Sequence, residues 1–222
     1  MCGIFGSNKR EKYLNLQKLN LKRGDFAHST LFVDRDGFEI HKVPMQNVIK
    51  TQYRFPKKKK FDLYMGHAQA PTSSQRKFDI NTTHPFIVEN WVVAHNGVLT
   101  NFKELVNQFE MPYNNPVDTS IIPYILYATQ TFSSRNTEID VIVNCLQLLK
   151  GTFGLWMFNA NTGNSFLAKC GVTLFADVYE NTFSSVQDKG LSSLDEGVLF
   201  QVTSEGITAV ADFECDSPFF TI

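Results

Sequence analysis

The chain opens Met-Cys-Gly-Ile-Phe-Gly, with Cys2 directly behind the initiator methionine. A thiol of ordinary pKa is only a few per cent thiolate near neutral pH, so a nucleophilic cysteine needs a base. Removal of Met1 would give Cys2 one of its own. An α-amino group titrates at about 7.7–8.0 and can reach the thiol directly or through one water. If Met1 stays, that nitrogen is an amide and the mechanism fails. The plainer alternative is a small buried residue, because Cys-Gly-Ile-Phe-Gly is also a short apolar run of the kind that makes a first strand.

Three more clusters carry chemistry. His95-Asn96-Gly97 follows the apolar stretch Trp91–Ala94. A side-chain amide beside an unhindered backbone N–H is what an oxyanion hole needs, namely two donors aimed at one developing charge. Asn-Gly is also a common tight turn, yet Val98, Leu99 and Thr100 lead into a helical pattern rather than back as a hairpin. Gly66-His67-Ala68-Gln69-Ala70-Pro71-Thr72 leaves another apolar run and reads either as a ligand-contacting loop or as a strand end with a satisfied histidine. Asp118 reads as a helix cap or as a carboxylate for an ammonium group. Cys2, Cys145, Cys170 and Cys215 form no CxxC or CxxH pair, so no metal ligand set is expected. Cys145 and Cys170 read as buried thiols, and a chain of this size has no need of the disulfides that an even count permits.

These groups must be held by a substantial core. The chain has 222 residues, 43% of them apolar, including 20 phenylalanines. One domain over residues 1–222 is expected, with no linker and no internal repeat. A formal charge of -1 supplies no basic field for nucleic acid. Lys57-Lys58-Lys59-Lys60 reads as a solvated loop or a local polyanion contact. No signal peptide and no membrane-length apolar run is present in the sequence, so a soluble, cytoplasmic, reducing setting is expected.

Helical spacing is seen in residues 11–22. Phe26–Asp34 and Phe38–Pro44 read as strands joined at Arg35-Asp36-Gly37, and residues 61–70 and 91–100 as two further strands. Three helices are expected next, capped by Thr100 or Asn101, by Asp118, and in the third case ending at Gly151. Strands fill the remainder. The order of strands, then helices, then strands supports an α+β layered fold with mainly antiparallel sheets.

Taken in order, MCGIFG, Arg23-Gly24, GHAQAPT, NTTHPF, VVAHNGVLTNF, VDTSII, LKGTFG, TFSSV and SLDEGVLFQVTSEGI resemble the class II glutamine amidotransferase (glutaminase) domain of the N-terminal-nucleophile hydrolases. The resemblance is nearest to the glutaminase half of glucosamine-6-phosphate synthase and covers nearly the whole chain. It implies a four-layer αββα sandwich of two antiparallel sheets and no cofactor. It makes Cys2 the nucleophile that attacks the side-chain amide of glutamine, and Asn96 and Gly97 the oxyanion donors. Asp118 would hold the substrate's α-ammonium, and the Gly66–Thr72 loop, with Gln69, Ala70 and Thr72, would wall its α-carboxylate. Arg23 would lie near the nucleophile.

The sequence departs from the family pattern in three places. The family writes GH-x-R where this chain has Gln69, and a neutral amide cannot replace a guanidinium–carboxylate pair. Arg76 and Lys77 follow a few residues later. The residues after Arg23-Gly24 (Asp25, Phe26, Ala27) are spaced differently from the family's RG-x-D. No fused synthase sequence follows the glutaminase motifs. The implied partners are therefore glutamine or a γ-glutamyl amide, and an ammonia-accepting synthase on a separate chain. The alternatives are a stand-alone γ-glutamyl hydrolase and a silent glutaminase-like regulatory subunit.

Overall fold

The computed structural model describes residues 2–44, 60–70, 79–111, 115–132 and 135–215. The first of two sheets is built around β1 (Gly3–Ser7), which pairs antiparallel with β4 (Leu63–Gln69) on one side and β10 (Thr182–Ser184) on the other. The hairpin of β2 (Ala27–Asp34) and β3 (Gly37–Pro44) extends it past β4, while β9 (Phe175–Asp177) and β11 (Ser192–Ser193) extend it past β10. The second sheet runs β13 (Gly206–Asp212), β12 (Val198–Thr203), β8 (Ser165–Cys170), β7 (Gly151–Asn159), β6 (Trp91–Leu99), β5 (Phe86–Val88). α1 (Arg10–Asn20) covers the outer face of the first sheet; α2 (Phe102–Gln108), α3 (Ile121–Phe132) and α4 (Glu138–Leu148) cover that of the second. The chain is thus an α+β sandwich of two antiparallel sheets between helices.

Strand periodicity decides which side chain meets which layer. In β6, Val92 and Ala94 join the core between the sheets, whereas Trp91 and Val93 join the core under α3 and α4. β7 divides the same way, with Trp156 and Phe158 inward and Leu155 and Met157 toward the helices. β1 sends Ile4 between the sheets and Phe5 toward Tyr13 of α1. Trp156 is fully buried and donates its Nε1–H to the Gly66 carbonyl of the opposite sheet at 3.0 Å. This satisfies the one polar atom of a side chain whose burial contributes about 3 kcal/mol.

Several local expectations are corrected. Gly151 does not end α4; it starts β7 with φ +119°, and Leu149 in extended conformation ends the helix. α4 starts instead on a capping box between Thr137 and Asp140. Asn101 occupies the N-cap position of α2 without capping it, because its amide bridges the Leu148 carbonyl and the Lys150 N–H. Cys170 is not a free thiol. It forms a disulfide with Cys215, with Cα atoms 5.6 Å apart. Bonds from Gly197 N to Lys169 O and from Phe213 N to Gly197 O fold the segment after β13 back against β8, which brings the two cysteines together. Cys145 is a free buried thiol, with burial pushing its pKa up. Lys57–Lys59 lie outside the described residues. Among the described residues no helix is long and apolar enough to cross a membrane.

His28 of β2 is 1% exposed, and burial lowers its pKa from 6.5 to about 4. The folded protein therefore holds it neutral while the unfolded chain protonates it below about 6.5. Stability present above that pH is lost as pH falls toward 4, by up to ~3 kcal/mol. Urea unfolding between pH 7 and pH 4.5 measures this, and His28→Gln should flatten the decline. An unchanged slope would assign the loss to other groups.

Candidate active site

Cys2 precedes β1 in the middle of the first sheet, and the pairing of Gly3 with Ala68 sets it beside the end of β4. The Ala70 N–H points at Cys2 Sγ across 3.4 Å, and Sγ lies 3.7 Å from the Ala70 carbonyl oxygen. A cavity of about 400 Å³ opens over the sulfur. Its walls are Cys2, Arg23 and Ala70 from the first sheet and its loops, Asn96, Gly97, Val98 and Thr152 from the second, and Gly171, Val172 and Thr173 after β8.

The sheet alternation that puts Ala94 between the sheets puts Asn96 there too, facing the first sheet. β6 runs on past the apolar stretch Trp91–Ala94, as the strand read over residues 91–100 implies; its pairing with β7 passes through the dipeptide to Leu99 and Gly151. The dipeptide is a distortion within a strand rather than a turn after one. Gly97 has φ +153°, and a Cβ there would sit 2.0 Å from the Thr152 carbonyl oxygen. Only glycine fits.

Arg23 donates from Nη1 to the Ser185 carbonyl (2.7 Å) and to Thr173 Oγ1 (3.3 Å). Burial pulls its pKa below the ordinary value, and the neighbouring Cys2 pulls it back up; the guanidinium remains a cation at any working pH. Gly24 holds this loop against β4, because a Cβ there would meet Ala70 N at 2.5 Å.

Two expected residues stand elsewhere. Gln69 is fully buried, and its amide donates to the Thr82 carbonyl (3.0 Å) and accepts from His84 N–H (3.3 Å). It is not among the cavity's lining residues. Asp118 opens a single 3-10 turn ahead of α3 and accepts from the Leu99 and Thr119 N–H groups, each at 2.9 Å. It stands behind the strand whose next residue, Val98, lines the cavity. Thr72, Arg76, Lys77 and Met1 lie outside the described residues.

A buried histidine cluster underlies the dipeptide. A carbonyl can only accept, so His67 Nε2 donates to His95 O (3.0 Å) and His95 Nε2 donates to Thr152 O (3.2 Å). The Thr119 hydroxyl bridges His95 Nδ1 (3.1 Å) and His84 Nε2 (2.8 Å), and the rings of His67 and His84 stack at 3.9 Å. One neutral assignment satisfies these bonds: His84 Nε2–H to Thr119 Oγ1, and Thr119 O–H to His95 Nδ1. The period of two that groups Trp91, Val93 and His95 on the helix side is the sequence signal for this cluster.

No protein-family model matches the chain. The glutamine–fructose-6-phosphate aminotransferase of Francisella tularensis is 26% identical over 226 residues, which is 93% of this chain and 36% of that protein. The chain thus spans little more than a third of this relative's length. The B. subtilis glutamine phosphoribosylpyrophosphate amidotransferase superposes with a TM-score of 0.74 at 19% identity, covering 94% of this chain and 49% of that one. The relatives are glutamine amidotransferases, and the structural neighbours share the fold of class II glutamine amidotransferase domains. A class II glutamine aminotransferase domain protein from Silicibacter pomeroyi matches with a TM-score of 0.62 at 11% identity, covering 96% of this chain and all of that one. Gln69, which stands where the amidotransferase pattern has arginine, is spent on main-chain bonds.

Gln69→Leu removes both partners from buried backbone groups and should cost about 1–3 kcal/mol, read as a lower midpoint in urea. An unchanged midpoint would mean that segment 82–84 does not depend on this amide.

Proposed function

We propose that the protein hydrolyses the side-chain amide of glutamine, or of a γ-glutamyl amide, with Cys2 as nucleophile once Met1 has been removed. The observation that carries this reading is the meeting of Cys2 from one sheet and Asn96-Gly97 from the other on a single cavity. The α-amine takes the thiol proton while sulfur adds to the amide carbon. The oxyanion is met by the Asn96 side chain and the Gly97 N–H. Collapse breaks the C–N bond, the amine returns its proton to the leaving nitrogen, and ammonia departs. Water then cleaves the γ-glutamyl thioester to glutamate and the free thiol. No cofactor is needed. The Arg23 cation beside the sulfur favours the thiolate and negative substrate groups, and Thr72 would contribute to holding the substrate's α-substituents, whereas Asp118, bonded to the Leu99 N–H behind β6, would have to turn from that bond to reach an α-ammonium. Ammonia would pass to a synthase on another chain.

A second reading has its own observation. Since Gln69 is occupied by Thr82 and His84, it offers the α-carboxylate no charge. This favours γ-glutamyl amides recognised through other groups.

Intact mass spectrometry of the purified protein should show loss of one methionine, and a glutamine-like electrophile should add to Cys2. Cys2→Ala should abolish glutamate release, a loss of at least about a thousandfold. Full retention of Met1 in an active protein would sink the mechanism. Higher kcat/KM for γ-glutamyl peptides than for glutamine would select the second reading.

A further inference from the structure

Outside the groups that line the cavity, one residue ties three parts of the site together: the start of β1, Arg23 and Asn96. Ser185 follows β10, is 1% exposed, and does not line the cavity. Its hydroxyl oxygen accepts from Ile4 N–H (3.0 Å) and from Asn96 Nδ2 (3.3 Å). Its own N–H donates to the Ile4 carbonyl (2.8 Å), and its carbonyl accepts from Arg23 Nη1 (2.7 Å) and Thr173 Oγ1 (2.8 Å). The residue therefore grips the start of the strand that carries Cys2, the arginine beside the sulfur, and the carboxamide from the opposite sheet.

Ser185 divides its contacts between main chain and side chain. Main-chain atoms hold Arg23, Thr173 and the Ile4 carbonyl, and they survive any side-chain substitution. The hydroxyl reaches Asn96 and also accepts from the Ile4 N–H. A carboxamide nitrogen carries two hydrogens. With one of them held by Ser185 Oγ, the amide plane is fixed and the second hydrogen is left for the cavity that Asn96 lines. Donors fixed before the reaction avoid the reorganisation that water would need, and this is why oxyanion donors act so strongly.

We infer that Ser185 is a positioning residue for the amidohydrolase reaction, its hydroxyl locking the Asn96 carboxamide into the donor orientation that the oxyanion requires. This inference rests on the proposed reading of Cys2 and Asn96. Ser185→Ala should lower kcat for glutamine hydrolysis about tenfold to a hundredfold, with KM within about twofold, because the lost orientation matters in the transition state. Ser185→Cys, which keeps the side-chain shape at slightly larger size and is a weaker acceptor, should lose kcat in the same direction and serves if the alanine variant fails to fold.

The deciding measurement is a double-mutant cycle with Asn96→Ala. If Ser185 acts mainly through Asn96, most of the Ser185→Ala loss in kcat disappears once Asn96 is gone, leaving only the smaller share owed to the Ile4 N–H. Additive losses, or a rise in KM with kcat unchanged, would overturn the inference. An inactive wild type would instead overturn the functional reading, and the inference would then be decided without turnover. The side-chain amide resonances of Asn96 in 15N-labelled full-length protein should shift and broaden in Ser185→Ala. Unaltered resonances would refute the positioning role.

Discussion

Cys2 and Asn96 belong to different sheets, so their meeting depends on how the two sheets stack. Ile4, Met65, Val92, Ala94 and Trp156 fill the space between the sheets. Apolar contact of this kind fixes a separation but not a lateral register. The register comes from a few directional bonds across the gap: Trp156 to Gly66, His67 to His95, and Ser185 to Asn96. Each links a strand of the first sheet, or the residue after one, to β6 or β7. A shift of one residue's length between the sheets would break all three bonds, and a one-residue slip of β6 within its own sheet would send Asn96 to the helix side.

Burying so many polar groups is costly unless each finds a partner. One dense group of such residues lies around the end of β6, where His67, His84, Thr119 and Asp118 gather about His95 and Leu99. The apolar layers carry the stability, and this polar group carries the geometry. Gly97 shows the trade locally, since its backbone lies against Thr152 so closely that no side chain can be accommodated.

Much of this was legible in the sequence. Cys2 and Asn96-Gly97 stood out by residue type, and long strands such as β6 and β7 stood out by apolar length and β-rich composition. The shortest elements did not: β5 has three residues and β11 two, too few for a period to show. Ser185 escaped notice because a serine after a three-residue strand is chemically anonymous until Ile4 and Asn96 are brought to it. The Gln69 amide was legible as a departure from arginine, but its partners were not, because contact with Thr82 and His84 depends on the path of the chain after β4. The Cys170–Cys215 bond was hidden for a similar reason. The two are 45 residues apart, and only the return of the segment after β13 joins them.

The central place of β1 also has a kinetic side. Phe5 pairs with Gly66 and with Ser184, so the strand next to Cys2 cannot complete its hydrogen bonds until most of the chain exists. At about 5–20 residues per second of synthesis, that leaves the amino-terminal segment without its last strand partner for on the order of ten seconds or more. An aminopeptidase working on the nascent chain meets an open substrate during that interval. Once β10 docks, the same segment is clamped at the head of a cavity. On the proposed reading, removal of Met1 would precede completion of the first sheet, with translation setting the interval between them.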